Sequence, residues 1–289
     1  MGLGIFCTKN MIVVVDFFSQ KNKKWEQNVS FRQFKFSLFF FGTIFSVEIF
    51  GILDIAQLTQ AQEYSVKNIL NLYGDRRDFV KATYGCDISS QRLDELDQLT
   101  LSYLLEKPYS LNFIDIGCGE GRVGIIASLL TKKSFLLDTI DITEKIKLFR
   151  DITASNVEFL NMDAKLLGNF NFEEKLDVIY SQRFIHYLTY NESRGLLNII
   201  FNNTNDGAKL FLSASGLYSE LGQKYQDFDK PIESRFSFLS PDIAKKHNIL
   251  EKVCLYSKED LEKLGTDCGF ILEKIYYSSF GNVKGVFKK

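Results

Sequence analysis

The chain has 289 residues, 45% hydrophobic and 25% charged, a balance that suits a globular protein able to bury a sizeable core. Its net charge of −1, with no basic block interleaved with aromatics, argues against a nucleic-acid partner. Five cysteines (Cys7, Cys86, Cys118, Cys254 and Cys268) contain no C-x-x-C pair, which gives no metal site and fits a reducing, cytoplasmic compartment.

Residues 1–55 are Phe-rich, and Phe36 to Leu53 is apolar almost throughout, with Glu48 as its one charge. A membrane-spanning helix needs about 20 apolar residues, so 36–53 is borderline, and Glu48 would be costly inside a bilayer. No small-residue cleavage site follows, so a signal peptide is disfavoured. Three readings stand: a membrane anchor, a Phe-rich layer packed on the rest of the protein, or an extension foreign to the natural product. The last is slightly favoured, because Phe, Lys, Asn and Ile are what AT-rich DNA encodes. The main domain is set at 56–289. Within it, Ala61 to Leu72 and Gln91 to Glu106 carry helical apolar spacing.

The most informative stretch follows. Phe113, Ile114 and Ile116 form a short apolar run holding Asp115, then Gly117, Gly119 and Gly121 alternate, and an apolar segment runs from Val123 to Leu130. This predicts a buried parallel strand, a tight glycine turn and a helix packed back on the sheet. A dinucleotide fingerprint needs a small third residue for close helix–strand packing; Arg122 occupies that position. A carboxylate at Asp115 repels a pyrophosphate and suits a ligand that is cationic nearby. Cys118, inside the turn, reads as a small side chain under the ligand rather than a nucleophile.

Ser134 to Ile142 reads as a second strand closing on Asp141, an acidic residue placed to accept hydrogen bonds from ribose hydroxyls. Asp138 competes, but falls inside that strand; capping the next helix is a further and compatible role for Asp141. Asn156 to Leu160 is a third strand, ended by Asn161-Met162-Asp163-Ala164. Leu176 to Tyr180 is a fourth, followed by Ser181-Gln182-Arg183-Phe184-Ile185-His186-Tyr187. In open α/β sheets ligands bind beyond the carboxyl ends of strands, so this segment forms the floor between two ligands. An apolar helix over Leu196 to Asn203, ended by a polar turn, leads to a fifth strand, Gly207 to Ser213.

Residues 215–250 form a long insertion carrying Tyr218, Tyr225, Phe228, Arg235 and His247, read as a substrate lid. Ser257 then caps a helix that stops at Gly269. Phe270 to Ser278 and Val283 to Lys288 close the chain as a β-hairpin.

In this order of elements, and in the acid-x-G-x-G-x-G turn at Asp115 to Gly121, residues 95–289 resemble the class I S-adenosylmethionine-dependent methyltransferases. The resemblance implies an α/β fold: a seven-stranded, mostly parallel, doubly wound sheet in the order 3-2-1-4-5-7-6, with the last strand antiparallel and helices on both faces. It also implies S-adenosylmethionine as cofactor. Asp115, Gly117, Cys118, Gly119 and Gly121 would hold its methionine part, Asp141 with Ile142 its ribose, and Asp163 with Ala164 its adenine, while Ser181 on the floor would be a further cofactor contact. N-terminal helices would fold over the cofactor, making Tyr64 and Tyr73 candidate pocket residues.

The expected activity is methyl transfer to a small-molecule O, N or C acceptor, driven mainly by positioning. Of the two histidines, His186 is the candidate general base. Arg183, Tyr187, Tyr218 and Arg235 are candidate substrate contacts. No metal is expected. The fourth strand lacks an Asn-Pro-Pro-Tyr-like segment, which disfavours methylation of nucleic-acid amino groups. A non-catalytic S-adenosylmethionine-binding module and a nicotinamide-dependent oxidoreductase stay open as alternatives, and Arg122 and the closing hairpin weigh against the second.

Overall fold

A computed structural model describes residues 2–8, 11–17, 36–40, 43–47, 93–153 and 156–289. The chain divides into two compact units, residues 1–59 and 60–289. In the first, β1 (Gly2–Thr8), β2 (Met11–Phe17), β3 (Phe36–Phe40) and β4 (Thr43–Val47) form an antiparallel sheet in sequence order. The β-branched run Ile12 to Val15 is the residue type that a pleated strand favours. The stretch considered as a membrane anchor is therefore strand over 36–40 and 43–47, not helix. No helix among the described residues is long and apolar enough to cross a membrane. The helix expected over Ala61 to Leu72, with Tyr64 and Tyr73, lies outside the described residues.

The second unit begins with α1 (Glu95–Glu106). Its N-cap Asp94 accepts from Leu96 N (2.8 Å) while Asp97 returns a bond from Asp94 N (2.9 Å), a capping box that satisfies amides the helix itself cannot. The strands β5 (Asn112–Ile116), β6 (Lys133–Asp138), β7 (Val157–Asn161), β8 (Leu176–Gln182), β9 (Thr204–Ala214), β10 (Ile271–Tyr277) and β11 (Val283–Lys288) build one sheet. Its order is β7-β6-β5-β8-β9-β11-β10, which is the expected 3-2-1-4-5-7-6. β5 to β9 pair in parallel, and β11 runs antiparallel to both its neighbours.

The connecting helices fall into two groups. α1, α2 (Arg122–Ser128) and α3 (Thr143–Thr153) touch in series, while α4 (Tyr190–Asn202) packs on α6 (Lys258–Asp267). The main core lies among Ile114, Ile179, Leu210, Leu196, Leu261 and Phe287, all nearly or wholly buried. β5 is buried along its whole length, as a central parallel strand must be.

Three boundaries depart from the sequence reading. β6 ends at Asp138 rather than running on to Ile142, because the Asp138 carboxylate accepts from Ile140 N (3.0 Å) and turns the chain out of the ladder. β9 starts at Thr204 rather than Gly207: the ladder shifts register opposite Leu176 and Val178, and Gly207 at φ +84° accommodates the polar residues that read as a turn. The 215–250 insertion is more ordered than a loop. It holds α5 (Pro241–His247), short 3₁₀ turns at 220–222 and 232–234, and a β-bridge from Ser237 to Val253. It closes a small core of its own around Leu217, Tyr225, Ile243 and Leu255.

Candidate active site

A cavity of 1020 Å³ opens at the carboxyl ends of β5, β6 and β8. The glycine turn forms its base. Gly117 N and Cys118 N both donate to Leu137 O (2.9 and 3.1 Å), which ties the turn to β6. Gly117, Gly119 and Gly121 take φ +69°, +55° and +77°, a region other residues avoid. The three differ in what a side chain would meet. A Cβ on Gly117 would strike the Phe184 ring, and one on Gly121 would strike Ile142 at 2.7 Å, whereas one on Gly119 meets nothing within 4 Å. Gly119 thus borders open space that a ligand can use.

Arg122 is buried as the first residue of α2, with its guanidinium 3.5 Å from Asp97. The close helix–strand approach is made instead by Gly124, where a Cβ would lie 2.7 Å from Leu136. The sequence reading missed this fourth glycine. Asp115 is 2% exposed and lines the cavity beside the turn. Cys118 lines it too; burial, with Asp115 and Asp138 nearby, pushes its thiol pKa well up, so it is a poor nucleophile.

At the next strand end the two acidic candidates separate. Asp138 closes β6, accepts from Gly119 N at 2.8 Å and faces the cavity. Burial raises its pKa, against bonds from the amides of Ile140, Gly119 and Thr139. Asp141 borders the cavity as well, but it is exposed, and its Oδ1 accepts from Thr143 N (2.9 Å) and Thr143 Oγ1 (2.5 Å) at the start of α3. Asp138 therefore holds the strand-end position that the sequence reading gave to Asp141. Ile142 packs beneath Gly121 and lines the cavity; Met162, Asp163 and Ala164 line it after β7. Asp163 Oδ1 accepts from Lys165 N (2.9 Å) and so opens a 3₁₀ turn over Ala164–Asn169.

The floor holds surprises. Ser181 is outside the cavity lining: buried, it donates to Ile116 O (2.9 Å) and braces β8 on β5, a correction to the expected cofactor contact. Arg183 lines the cavity at φ +51°, a strained conformation for a residue with a side chain, and its amide bonds Ser213 O. His186 is 2% exposed, its ring packs on Tyr187 with centroids 4.0 Å apart, and its Nδ1 has no hydrogen-bond partner among the described residues. Burial, reinforced by the Arg183 charge, lowers its pKa to about 3. A base that weak, without a carboxylate to orient it, is poorly matched to proton abstraction near neutral pH. Arg235 does not reach the cavity. It is buried, donating to Asp260 (2.7 Å), Leu255 O (2.8 Å) and Lys230 O (2.8 Å), and it knits the insertion to α6.

The opposite wall comes from the insertion and from the β10–β11 turn: Tyr218, Glu220, Ile249 and Phe280 border the cavity, as does His247. His247 Nε2 lies 3.2 Å from Glu220 Oε2, and Lys246 pairs with the other carboxylate oxygen. Sequence reasoning passed over this pair, since Glu220 and His247 stand 27 residues apart with no motif joining them.

A charged cluster lies under the floor. Asp94 pairs with Lys284 (2.6 Å) and accepts from Gln182, while Tyr180 donates to Asp97. Burial, with the Asp94 charge added, pushes the fully buried Asp97 up to about 7. Asp94 goes down: burial would raise it, but the charge and hydrogen bond of Lys284 prevail. This cluster anchors α1 to β8 and β11, and two of its members, Tyr180 and Gln182, also line the cavity.

Fold and site together define a nucleotide-type α/β enzyme with its ligand over a glycine turn. A methyltransferase-domain family model matches residues 88–275, and the chain belongs to that family, as a class I S-adenosylmethionine-dependent methyltransferase. It is a methyltransferase enzyme with S-adenosylmethionine as cofactor. No curated protein sequence matches the chain.

Solved structures share the fold. The 1,6-didemethyltoxoflavin-N1-methyltransferase of Burkholderia thailandensis, with 1,6-didemethyltoxoflavin and S-adenosylhomocysteine bound, is 13% identical, with 80% of this chain and 91% of that one covered and a TM-score of 0.51. A methyltransferase from Listeria monocytogenes (12% identity, 67% and 96% covered, TM-score 0.51) and one from Clostridium acetobutylicum (11%, 68% and 92%, TM-score 0.50) are also similar. The residues present fit the cofactor: open space above Gly119, a buried carboxylate at Asp115, a strand-end carboxylate at Asp138 and apolar Met162 beyond it.

Proposed function

We propose that the enzyme methylates a small-molecule acceptor bound in the same cavity as the donor. The observation that carries this is the size and division of the cavity. At 1020 Å³ it lies at the top of the usual range for small-molecule sites, about 300–1,000 Å³. The glycine turn, Asp138 and Met162 wall one side, and Tyr218, Ile249 and Phe280 wall the other. The Burkholderia enzyme of the same fold holds a small heterocycle together with the demethylated cofactor, which supports the same division here.

S-adenosylmethionine supplies an already activated methyl group, so the protein's task is mainly alignment. On this reading Asp115 attracts the cofactor's ammonium group and the Gly117–Gly121 turn admits its backbone-like portion. Asp138 accepts from ribose hydroxyls, and Met162, Asp163 and Ala164 border the adenine. Arg183 and Tyr187 sit on the floor between donor and acceptor, and Tyr218 borders the acceptor side. His186 packs the floor in its neutral form, and Arg235 and Ser181 hold the scaffold.

Incubation with methyl-labelled S-adenosylmethionine and fractionated cell extract tests this. Label entering the small-molecule fraction is expected. Label entering only protein or RNA, or no transfer by enzyme that binds S-adenosylhomocysteine, would overturn it.

A further inference from the structure

We propose that His247, oriented by Glu220, is the acceptor's general base, and that the acceptor is a planar aromatic compound bearing an acidic O–H or ring N–H. The proposal deepens the small-molecule reading above and rests on it.

Two independent features converge. The first is the pair itself. An imidazole with one nitrogen fixed by a carboxylate has a defined tautomer: Nε2–H donates to Glu220 Oε2 at 3.2 Å, leaving the lone pair on Nδ1. A base held by an orienting carboxylate is the arrangement that proton abstraction requires, and here it stands on the acceptor wall of the cavity. The chain has only two histidines, and the other, His186, is 2% exposed in the cavity floor with no carboxylate bonded to it among the described residues. The His247 side chain is 20% exposed, partly shielded yet within reach of the cavity. The carboxylate beside it is Glu220, whose second oxygen pairs with Lys246; the cavity lining also carries Arg183, the Glu120–Lys145 ion pair, and the carboxylates of Asp115, Asp138, Asp141 and Asp163.

The second feature is the rim. Tyr218 and Phe280 line the cavity while 64% and 63% exposed, from the insertion and from the β10–β11 turn respectively. Large aromatics left open at a cavity mouth suit a flat π-system, which stacks on their faces or edges. Tyr218 is held edge-on by Phe228 and Tyr277, at 5.8 and 6.2 Å between centroids, so its orientation is set in advance.

In the reaction the acceptor's lone pair forms the bond to the methyl carbon, and the carbon–sulfur bond breaks with its electron pair going to sulfur. The acceptor's proton passes to Nδ1 of His247. The positive charge that leaves the sulfonium thus ends on the imidazole, beside the Glu220 carboxylate.

The test uses p-nitrophenol, whose coloured phenolate reports its own ionisation, with the full-length protein saturated by S-adenosylhomocysteine. Wild type is expected to bind the probe and raise its phenolate fraction above that of the free probe at the same pH. His247→Gln should lose that rise and bind about tenfold more weakly, equivalent to about 1.4 kcal/mol. Glu220→Gln, which keeps a hydrogen-bonding partner but removes the charge, should lose most of the rise in phenolate fraction while still binding p-nitroanisole as wild type does. p-Nitroanisole, which has no proton to give, should bind equally to wild type and His247→Gln. Circular dichroism confines the comparison to folded variants. Phenolate formation that persists in His247→Gln would overturn the base. Failure of wild type to bind p-nitrophenol while it binds S-adenosylhomocysteine would overturn the aromatic acceptor and leave the small-molecule reading standing. Failure to bind S-adenosylhomocysteine would overturn the cofactor site beneath both.

Discussion

The amide of Gly119 donates to the carboxylate of Asp138 at 2.8 Å, which fixes the middle of the glycine turn to the end of the adjacent strand. One amide-to-carboxylate bond thus sets the spacing between the two parts of the site assigned to the methionine and ribose portions of the cofactor.

Asp138→Ala is expected to weaken S-adenosylhomocysteine binding by about 1.5–3 kcal/mol, the range for hydrogen bonds to a charged group. Asp141→Ala should leave affinity close to wild type, because its exposed carboxylate is turned through Oδ1 onto Thr143 at the start of α3. Calorimetric titration of both variants decides between them, and the reverse ranking would return the ribose to Asp141.

The glycines of the turn should fail in different ways. A methyl on Gly119 meets no protein atom within 4 Å, so Gly119→Ala should fold, with about 1–2 kcal/mol of backbone strain. Its affinity for S-adenosylhomocysteine should drop by a further 1–3 kcal/mol or about that, the cost of forcing a methyl into occupied space. Gly117→Ala drives its methyl into Phe184 and should lose thermal stability as well. Melting curves with and without ligand separate the two effects.

Two buried groups titrate in opposite senses. Asp97, raised from 3.8 to about 7, binds a proton in the folded state that the unfolded chain has lost, so its stabilisation is complete below about pH 4 and fades as pH rises to about 7. His186, lowered from 6.5 to about 3, stays neutral when folded, so its contribution is complete above about pH 6.5 and fades as pH falls towards 3. Between about pH 4 and 6.5 the two slopes oppose. Relative to wild type, Asp97→Asn should therefore gain stability as pH rises across this window, and His186→Gln should lose it. Melting temperatures measured against pH check both signs; parallel curves for wild type and either variant would contradict the assignment.

Arg235→Ala should destabilise the fold by about 1–3 kcal/mol, since it removes a buried charged donor from half-buried Asp260 and from the carbonyls of Leu255 and Lys230. The turnover of the fraction that remains folded should be unchanged. Activity normalised to folded protein checks this, and a selective rise in KM for the acceptor would instead give Arg235 a binding role.

Much of the fold was legible because the central parallel strands β5, β6 and β8 read as short apolar runs, and the closing hairpin is punctuated by Gly269 and Gly281. The alternation of glycines with Asp115 marked the cofactor turn, because glycine takes without strain the positive φ found at all three positions. Asp138 against Asp141 was not decidable from spacing. Both are acidic, three residues apart, and the choice rests on an amide 19 residues upstream. Arg235 and Ser181 looked available only because their partners, Asp260 and Ile116, are remote in sequence. The Glu220–His247 pair was hidden by the same remoteness.

The central claim is that one cavity holds the donor over the glycine turn and leaves room for the acceptor beside it. An experimental structure with S-adenosylhomocysteine bound tests it most directly. The account predicts ribose hydroxyls on Asp138, the homocysteine chain over Gly119 and Asp115, and a vacant pocket beside the sulfur walled by Tyr218, His247 and Phe280. Ribose held by Asp141 alone, or a sulfur enclosed with no space towards Tyr218 and His247, would contradict it.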